Sequence, residues 1–101
     1  MSNLVSIQRV TIVADSKLEE SLLKHICKLG AKGYTCMDCR GRGEHEILQD
    51  VFTATSRVRI ETIVQPKVAE AIMKYLDSPQ YHQQALTACV EPVQVLPSDN
   101  F

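Results

Sequence analysis

Residues 57–76 read RVRIETIVQPKVAEAIMKYL, and this stretch passes directly from the period of a strand to the period of a helix. Over 57–65 one set of alternate residues is Val58, Ile60, Thr62 and Val64, and the other is Arg57, Arg59, Glu61 and Ile63. This alternation is typical of a strand with one buried face. Pro66 then stands where helices commonly begin. The apolar residues after it recur at helical spacing: Val68, Ala69, Ile72, Met73 and Leu76. We therefore predict a strand that is followed at once by an amphipathic helix.

The first thirty residues show the same order of elements. VSIQRVTIVAD at 5–15 is rich in β-branched residues, which predicts a largely buried strand. Asp15 or Ser16 can cap a following helix, and Gly30 ends it because glycine most easily adopts a positive φ. The apolar residues of this helix again recur at helical spacing: Leu18, Leu22, Leu23, Ile26, Cys27 and Leu29.

Two weaker strands complete the pattern, GYTCMDC at 33–39 and ALTACVEPVQVL at 85–96. Pro92 implies a kink or an edge position, because proline cannot donate a hydrogen bond to a neighbouring strand. The segment DSPQYHQQ at 77–84 interrupts the second helix before the last strand begins. The order β-α-β-loop-β-α-β predicts an α+β, ferredoxin-like fold, with a four-stranded antiparallel sheet and both helices on one face.

The composition predicts a small cytoplasmic protein. The 101 residues fit a single domain over 1–101, with a flexible segment at 97–101. The net charge is −1 and the aromatics are three Tyr and two Phe, so the chain lacks the basic surface and the stacking platform of nucleic-acid-binding proteins. It contains neither a run of about 18 apolar residues nor a secretory signal. We therefore expect reduced thiols, and we expect copies to associate because so small a domain has a modest core.

The connection between the second and third strands is long, polar and rich in glycine. Within RGRG at 40–43, glycines let backbone N–H groups turn toward an anion, and arginines add planar forks that match phosphate or carboxylate. Arg57 and Arg59 share one strand face with Glu61, and their strand returns from this loop. The four arginines predict a local anion site. A ligand-free basic loop and a solvated strand face are the alternatives.

The cysteines and histidines carry a weaker signal. Cys36 and Cys39 form a CxxC pair, but residues i and i+3 of a strand point to opposite faces, and a structural zinc site needs four ligands. We interpret the two cysteines as unrelated small hydrophobic residues, with a redox pair and a metal site as alternatives. His45 lies between Glu44 and Glu46, and we expect this triplet to be solvated rather than to bind a metal.

The segment VTIVADSKLEESLLKHICKLGAKGYTCMDCRGRG at 10–43 resembles the N-terminal half of the PII-like signalling proteins. The run AKGYT, followed shortly by a glycine-containing loop start, is its most recognisable part. RVRIETIV and ALTACVEPV fit the later strands of the family. The chain looks most like the carboxysome-associated CPII branch and the bicarbonate-linked SbtB branch, over about residues 8–96.

The resemblance implies a homotrimer that binds adenine nucleotides in the clefts between subunits. A T-loop at about 41–56 would change its order with the ligand and contact a target protein. The implied nucleotide-binding residues are Gly33, Tyr34, Thr35, Gly41, Arg42, Gly43, Arg57, Arg59, Glu61, Cys89, Val90 and Glu91. The implied site for an anion such as bicarbonate comprises Arg40, Arg42 and Arg59. The target would be a transporter or a carboxysome-related protein, which would place this chain at the inner membrane face or near carboxysomes.

The chain also departs from the family. DSPQYHQQ at 77–84 stands where PII proteins carry a loop rich in Gly and Lys that holds the triphosphate. We therefore expect ADP or AMP to bind in preference to ATP. The tyrosine that some PII proteins uridylylate has no counterpart between Gly41 and Ser56, and the cysteine pair of SbtB proteins is missing.

Other functions of the same or related folds find less support in the residues. A metal-responsive trimer like the CutA proteins is the main alternative, and it would need His or Cys ligands that converge on one cleft. An acylphosphatase would need an arginine in the loop after the first strand, where the chain reads ADSK. An RNA-binding module would show stacking aromatics on its central strands. Slow nucleotide hydrolysis near Glu44 and Glu46 lacks an evident base, so we predict no enzymatic activity, no catalytic residue and no metal.

Overall fold

The computed structural model describes residues 3–41 and 55–101. Its strands and helices are β1 (Val5–Asp15), α1 (Glu19–Lys28), β2 (Thr35–Gly41), β3 (Thr55–Val64), α2 (Pro66–Leu76) and β4 (Thr87–Val95). Short 3-10 turns lie at Ser16–Leu18 and Pro79–Tyr81. The predicted order of strands and helices is confirmed, and α2 begins at the predicted proline.

The strand boundaries shift where pairing rather than local pattern decides them. Strand β2 runs two residues later than the sequence indicates, because its pairing with β3 starts at Thr35 opposite Glu61 and continues to Gly41 opposite Thr55. Thr55 therefore belongs to β3 and not to the long connection. Strand β4 starts late because Ala85 and Leu86 belong to a turn, in which the Leu86 N–H donates to the carbonyl of Gln84 at 2.8 Å.

The four strands form one antiparallel sheet in the order β2-β3-β1-β4. Strand β1 lies inside the sheet and pairs with both β3 and β4, and its residues Ile7, Val10, Thr11, Ile12 and Ala14 are buried. Strand β4 lies at an edge of the sheet. No further strand therefore pairs with its outer side, where Pro92 could not donate a backbone hydrogen bond. The predicted α+β, ferredoxin-like sandwich of one sheet and two helices is confirmed.

The core lies between the helices and one face of the sheet. Its fully buried side chains come from β1, β3 and the inner stripes of both helices: Val10, Ile12, Ala14, Leu22, Ile26, Val58, Ile60 and Ile72. The alternation predicted for 57–65 is confirmed, because Val58, Ile60, Thr62 and Val64 are all buried. The other side of the sheet, which we call the open face, carries the remaining alternate residues, and most of the candidate site residues lie there.

A glycine-based cap ends α1 and sets the direction of the chain toward β2. The Ala31 N–H donates to the Ile26 carbonyl at 3.0 Å, and the Gly30 N–H donates to the Cys27 carbonyl at 3.1 Å. This pair of bonds is a Schellman motif. Gly30 has φ +121°, as the sequence predicts for the residue that ends the helix. The turn brings Ala31 into the core and leads into Gly33–Thr35.

Candidate functional site

Among the described residues, two ion pairs lie on the open face. Arg9 of β1 donates to Glu91 Oε1 of β4 from Nε at 3.0 Å and from Nη2 at 2.7 Å. This hydrogen bond and the charge of Glu91 raise the pKa of Arg9. Within β3, Arg59 Nε donates to Glu61 Oε2 at 2.9 Å. Thr11 faces Glu61 on one side and Cys89 on the other, and only 7% of it is exposed. The face is therefore polar and charged in its middle.

Arg57 differs from Arg59 although both belong to the same face of β3. Only 5% of Arg57 is exposed. Its Nε donates to the carbonyl of Gly41 at 3.2 Å, and its Nη1 donates to the carbonyl of Ala85 at 3.1 Å. The guanidinium therefore ties the end of β2 to the segment that enters β4. In this arrangement it positions the two chain segments, and its direct contact with a nucleotide stays a prediction.

The segment between α2 and β4 is folded on itself. Five of its backbone N–H groups donate to carbonyls within or just before it, and these belong to Ser78, Tyr81, His82, Gln84 and Leu86. Tyr81 is buried against the core. A groove of about 640 Å³ lies beside this segment, lined among others by Arg57, Tyr81, His82 and Thr87. Because these five backbone N–H groups are already paired, they are not available to a phosphate chain.

Aromatic side chains hold this segment against the helices. The ring of His25 on α1 stacks on Tyr75 with centroids 4.7 Å apart, and the Tyr75 and Tyr81 hydroxyls lie 2.8 Å apart. Burial, followed by the hydrogen bond to Tyr81, raises the pKa of Tyr75 to about 12.

The raised pKa of Tyr75 predicts a loss of stability in alkali. The folded protein holds this proton more tightly than the unfolded chain, in which a tyrosine has a pKa of about 10. The stabilisation is complete below about pH 10 and is lost as the pH rises through 12. We expect the free energy of unfolding, measured by urea titration between about pH 9 and 12, to fall more steeply for the wild type than for Tyr75→Phe. Parallel curves for the two proteins would contradict this origin of the pH dependence.

The start of β2 and the end of β3 form a second cleft on the open face. A cavity of about 240 Å³ is lined by Arg9, Gly33, Tyr34, Thr35, Glu61, Thr62, Ile63, Asn100 and Phe101. Thr62 Oγ1 donates to the carbonyl of Gly33 at 2.6 Å and holds the two strands together there. Strand β3 continues to Val64 although its pairing with β2 ends at Glu61. The backbone edge beyond Glu61 is therefore not covered by β2, and this is where a planar ligand can find peptide donors and acceptors.

The structure brings some predicted site residues together and separates others. Gly33, Tyr34, Thr35 and Glu61 meet at the 240 Å³ cavity. On β4, Cys89 and Glu91 lie on the open face, whereas Val90 lies opposite Val10 on the helix side, beside a groove along α2.

The structure does not place the predicted anion-binding arginines Arg40 and Arg59 on one face of the sheet. Arg40 pairs with Ser56 and so lies on the opposite sheet face from Arg59. Arg42 and Gly43, with most of the predicted T-loop, lie outside the described residues, as do Glu44, His45 and Glu46. A site that combines Arg40, Arg42 and Arg59 stays a prediction, as does the assignment of the nucleotide-binding residues.

The two cysteines of the CxxC pair lie on opposite faces of β2. Cys36 is paired with Ile60 and packs against the core, while Cys39 is paired with Arg57 on the open face. Burial raises the pKa of the Cys36 thiol, so little of it is the reactive thiolate. Among residues 3–41 and 55–101, no group of three or more His, Cys, Asp or Glu side chains could hold a metal ion.

Sequence reasoning missed Arg9, Asn100 and Phe101 as residues of the cleft. A charged residue in the middle of a strand that is predicted to be largely buried is a usable signal for Arg9. Asn100 and Phe101 gave no such signal, because only the path of the chain after β4 brings them to the other edge of the sheet. In the part of the chain that the structure describes, no helix is long and apolar enough to cross a membrane.

Comparison with known proteins supports the fold and the family. The family described as nitrogen regulatory protein P-II matches residues 7–99. A structure described as a PII-like signalling protein from Thermus thermophilus is 39% identical, with 94% of each chain covered and a TM-score of 0.77.

Structures of CPII from Thiomonas intermedia share the fold at 18% identity. One is bound to ADP, AMP and acetate, with a TM-score of 0.81 over 95% of this chain and 94% of that one. Another is bound to ADP and bicarbonate, with a TM-score of 0.78 over 92% and 91%. No curated protein matches the sequence. The match over nearly the whole length, together with the ferredoxin-like sandwich, shows that the chain belongs to the P-II family of signalling proteins.

Proposed function

We propose that this chain is a nucleotide-responsive regulator that binds ADP or AMP in preference to ATP. The observation that carries the proposal is the cleft in which Gly33, Tyr34 and Thr35 meet the end of β3. It combines an aromatic side chain with a strand edge that β2 does not cover, the two features that a purine base needs. The CPII structures, which share the fold, hold ADP together with AMP or bicarbonate.

The preference for a short phosphate chain follows from the segment at 78–86. A triphosphate loop must present free N–H groups or lysines to the phosphate oxygens. Here the N–H groups of Tyr81, His82 and Gln84 already donate to carbonyls within the turn, and the segment contains neither glycine nor lysine. ADP or AMP would place less charge beside it than ATP.

A homotrimer would complete the nucleotide site. The cleft on one protomer is shallow and open, and a neighbouring protomer would close it. Tyr34 of the cleft and Met37 of β2 are exposed apolar side chains that such a contact would bury. Light scattering that finds a monomer at the concentrations where nucleotide binds would contradict an intersubunit site.

The proposed output is a change in the T-loop at about 41–56. Arg57 connects Gly41, at which this loop begins, to Ala85, which borders the 640 Å³ groove beside the segment between α2 and β4. A nucleotide or bicarbonate would shift the populations of the loop conformations only to the extent that it binds one conformation more tightly than another. We propose a cytoplasmic protein whose target is a transporter or a carboxysome-related partner in inorganic-carbon uptake, and we propose no catalytic step.

Calorimetric titration with ADP, AMP and ATP, each with and without bicarbonate, tests the proposal. We expect submillimolar binding of ADP or AMP and at least about tenfold weaker binding of ATP. Arg59→Ala should weaken the binding of ADP by at least about tenfold if its guanidinium contacts a phosphate, since a hydrogen bond to a charged group contributes about 1.5–3 kcal/mol. Lys24→Ala, which removes an exposed charge on α1, is the matched control. Absence of submillimolar binding by every adenine nucleotide would refute the nucleotide-responsive function.

A further inference from the structure

The segment that follows β4 crosses the open face from one edge of the sheet to the other. It leaves Val95, which is paired with Val5 of β1. Pro97, Ser98 and Asp99 then border a cavity of about 300 Å³ with Ile7 and Gln65. The segment is attached at its far side, where Lys32 Nζ donates to the carbonyl of Asp99 at 3.3 Å. Inside it, the Asn100 N–H donates to Ser98 Oγ at 3.1 Å.

Phe101 is the point at which this segment reaches the nucleotide cleft. It borders both the 300 Å³ cavity beneath the segment and the 240 Å³ cavity that contains Gly33, Tyr34 and Thr35. The burial of Ile7 fits this path, since only 5% of it is exposed although it lies on the open face.

The aromatic residues of the described chain divide into two pairs. Tyr75 and Tyr81 contact each other on the helix side, with ring centroids 5.5 Å apart. Tyr34 and Phe101 line the same cavity on the open face. Within residues 3–41 and 55–101 these two rings make no ring contact with each other, and open space lies between the residues that line the cavity. The cavity is smaller than the roughly 300–1,000 Å³ of a complete small-molecule site, so it suits one flat part of a ligand.

We propose that Phe101 is a base-binding residue of the cleft, and that its ring and Tyr34 together enclose the adenine base of the bound nucleotide. This inference rests on the proposed nucleotide-binding function. A purine offers two π-faces, and stacking on aromatic side chains contributes binding energy irrespective of its edge. The strand edge of β3 beyond Glu61 supplies the peptide groups that read the base edge. The segment 97–101 thereby forms a wall of the site.

Titration of AMP into Phe101→Ala tests the assignment. We expect the affinity for AMP to fall about tenfold, in line with the loss of one stacking partner, while Phe101→Tyr retains it. Ribose 5-phosphate, which lacks the base, should bind the wild type and Phe101→Ala equally. A nuclear Overhauser effect between the adenine ring protons and the ring of Phe101 is expected in the wild-type complex.

Three results would overturn the inference. Unchanged AMP affinity of Phe101→Ala would show that the ring does not contact the base. Higher affinity would show that the segment competes with the ligand instead of enclosing it. An equal loss of affinity for AMP and for ribose 5-phosphate would indicate a general disturbance of the cleft.

If Phe101→Ala does not fold, Phe101→Leu keeps the apolar contact without an aromatic face and should show the same selective loss. Failure of the wild type to bind any adenine nucleotide would refute the underlying function. If the wild type binds AMP and the affinity does not depend on residue 101, only this inference is refuted.

Discussion

Replacing Arg57 by methionine should lower the free energy of unfolding by ~2–4 kcal/mol. Methionine keeps much of the apolar volume of the side chain but leaves the carbonyls of Gly41 and Ala85 without their donors, which lie at 3.2 and 3.1 Å in the wild type. Hydrogen bonds made by charged groups contribute about 1.5–3 kcal/mol each, and part of this is recovered if water reaches the carbonyls. Urea unfolding at one fixed protein concentration measures the change, because association would make stability depend on concentration.

Arg59→Met is the matched control for this experiment. It removes the same charge from the same face of β3, but the side chain of Arg59 is 48% exposed and is paired with Glu61 on the surface. Exposed ion pairs contribute about 0–1 kcal/mol. Equal losses in the two variants would show that the carbonyl bridge of Arg57 does not stabilise the fold. Arg57→Lys should lie between them, because an ammonium group cannot span two carbonyls as a guanidinium does.

Gly30→Ala should destabilise the protein by ~1–3 kcal/mol. A residue with a Cβ adopts the φ of +121° only under strain, and backbone strain of this kind costs about that much. In addition, a Cβ at this position would lie 2.9 Å from Cγ2 of Val68 on α2. The substitution would therefore disturb the end of α1 and its packing against α2 together. Thermal and urea unfolding measure the loss.

Gly33→Ala provides the comparison within the same turn. Its φ is not positive, and no atom beyond Gly33 and its two neighbours in the chain lies within 4 Å of the place where its Cβ would stand. We expect a change within about 0.5 kcal/mol, or a slight gain because alanine restricts the unfolded chain. If both variants lose the same stability, the effect would have to be assigned to the flexibility of the turn as a whole rather than to the geometry of Gly30.

Local chemistry made most of the fold predictable. The alternation at 57–65, the proline at the start of α2 and the glycine at the end of α1 each act within a few residues, so each leaves a readable pattern. A local rule also explains why Cys36 and Cys39 lie on opposite faces, because successive side chains of a strand point to opposite faces of the sheet. The predicted boundaries shifted where a neighbouring strand decided the length, as at Thr55 and Thr35, and where a turn delayed the start of β4.

The cleft was only partly predictable. The resemblance to the PII-like proteins predicts Gly33, Tyr34 and Thr35, and the structure places them beside Glu61. Arg57 and Arg59 were treated alike because they have the same residue type, face and strand. Their difference depends on Gly41 and Ala85, which lie 16 and 28 residues away along the chain.

By itself, the sequence determined the strands and helices, their order, the buried faces and the family. The tertiary structure decided which charged side chains bind backbone carbonyls and which segments of the chain contact each other. Lys32 and Asp99 are 67 residues apart, yet they are joined where the chain after β4 reaches the start of β2. Such contacts follow from the strand order β2-β3-β1-β4 and from the direction in which the last strand leaves the sheet. No local pattern records that direction, so Phe101 enters the site only once the sheet is assembled.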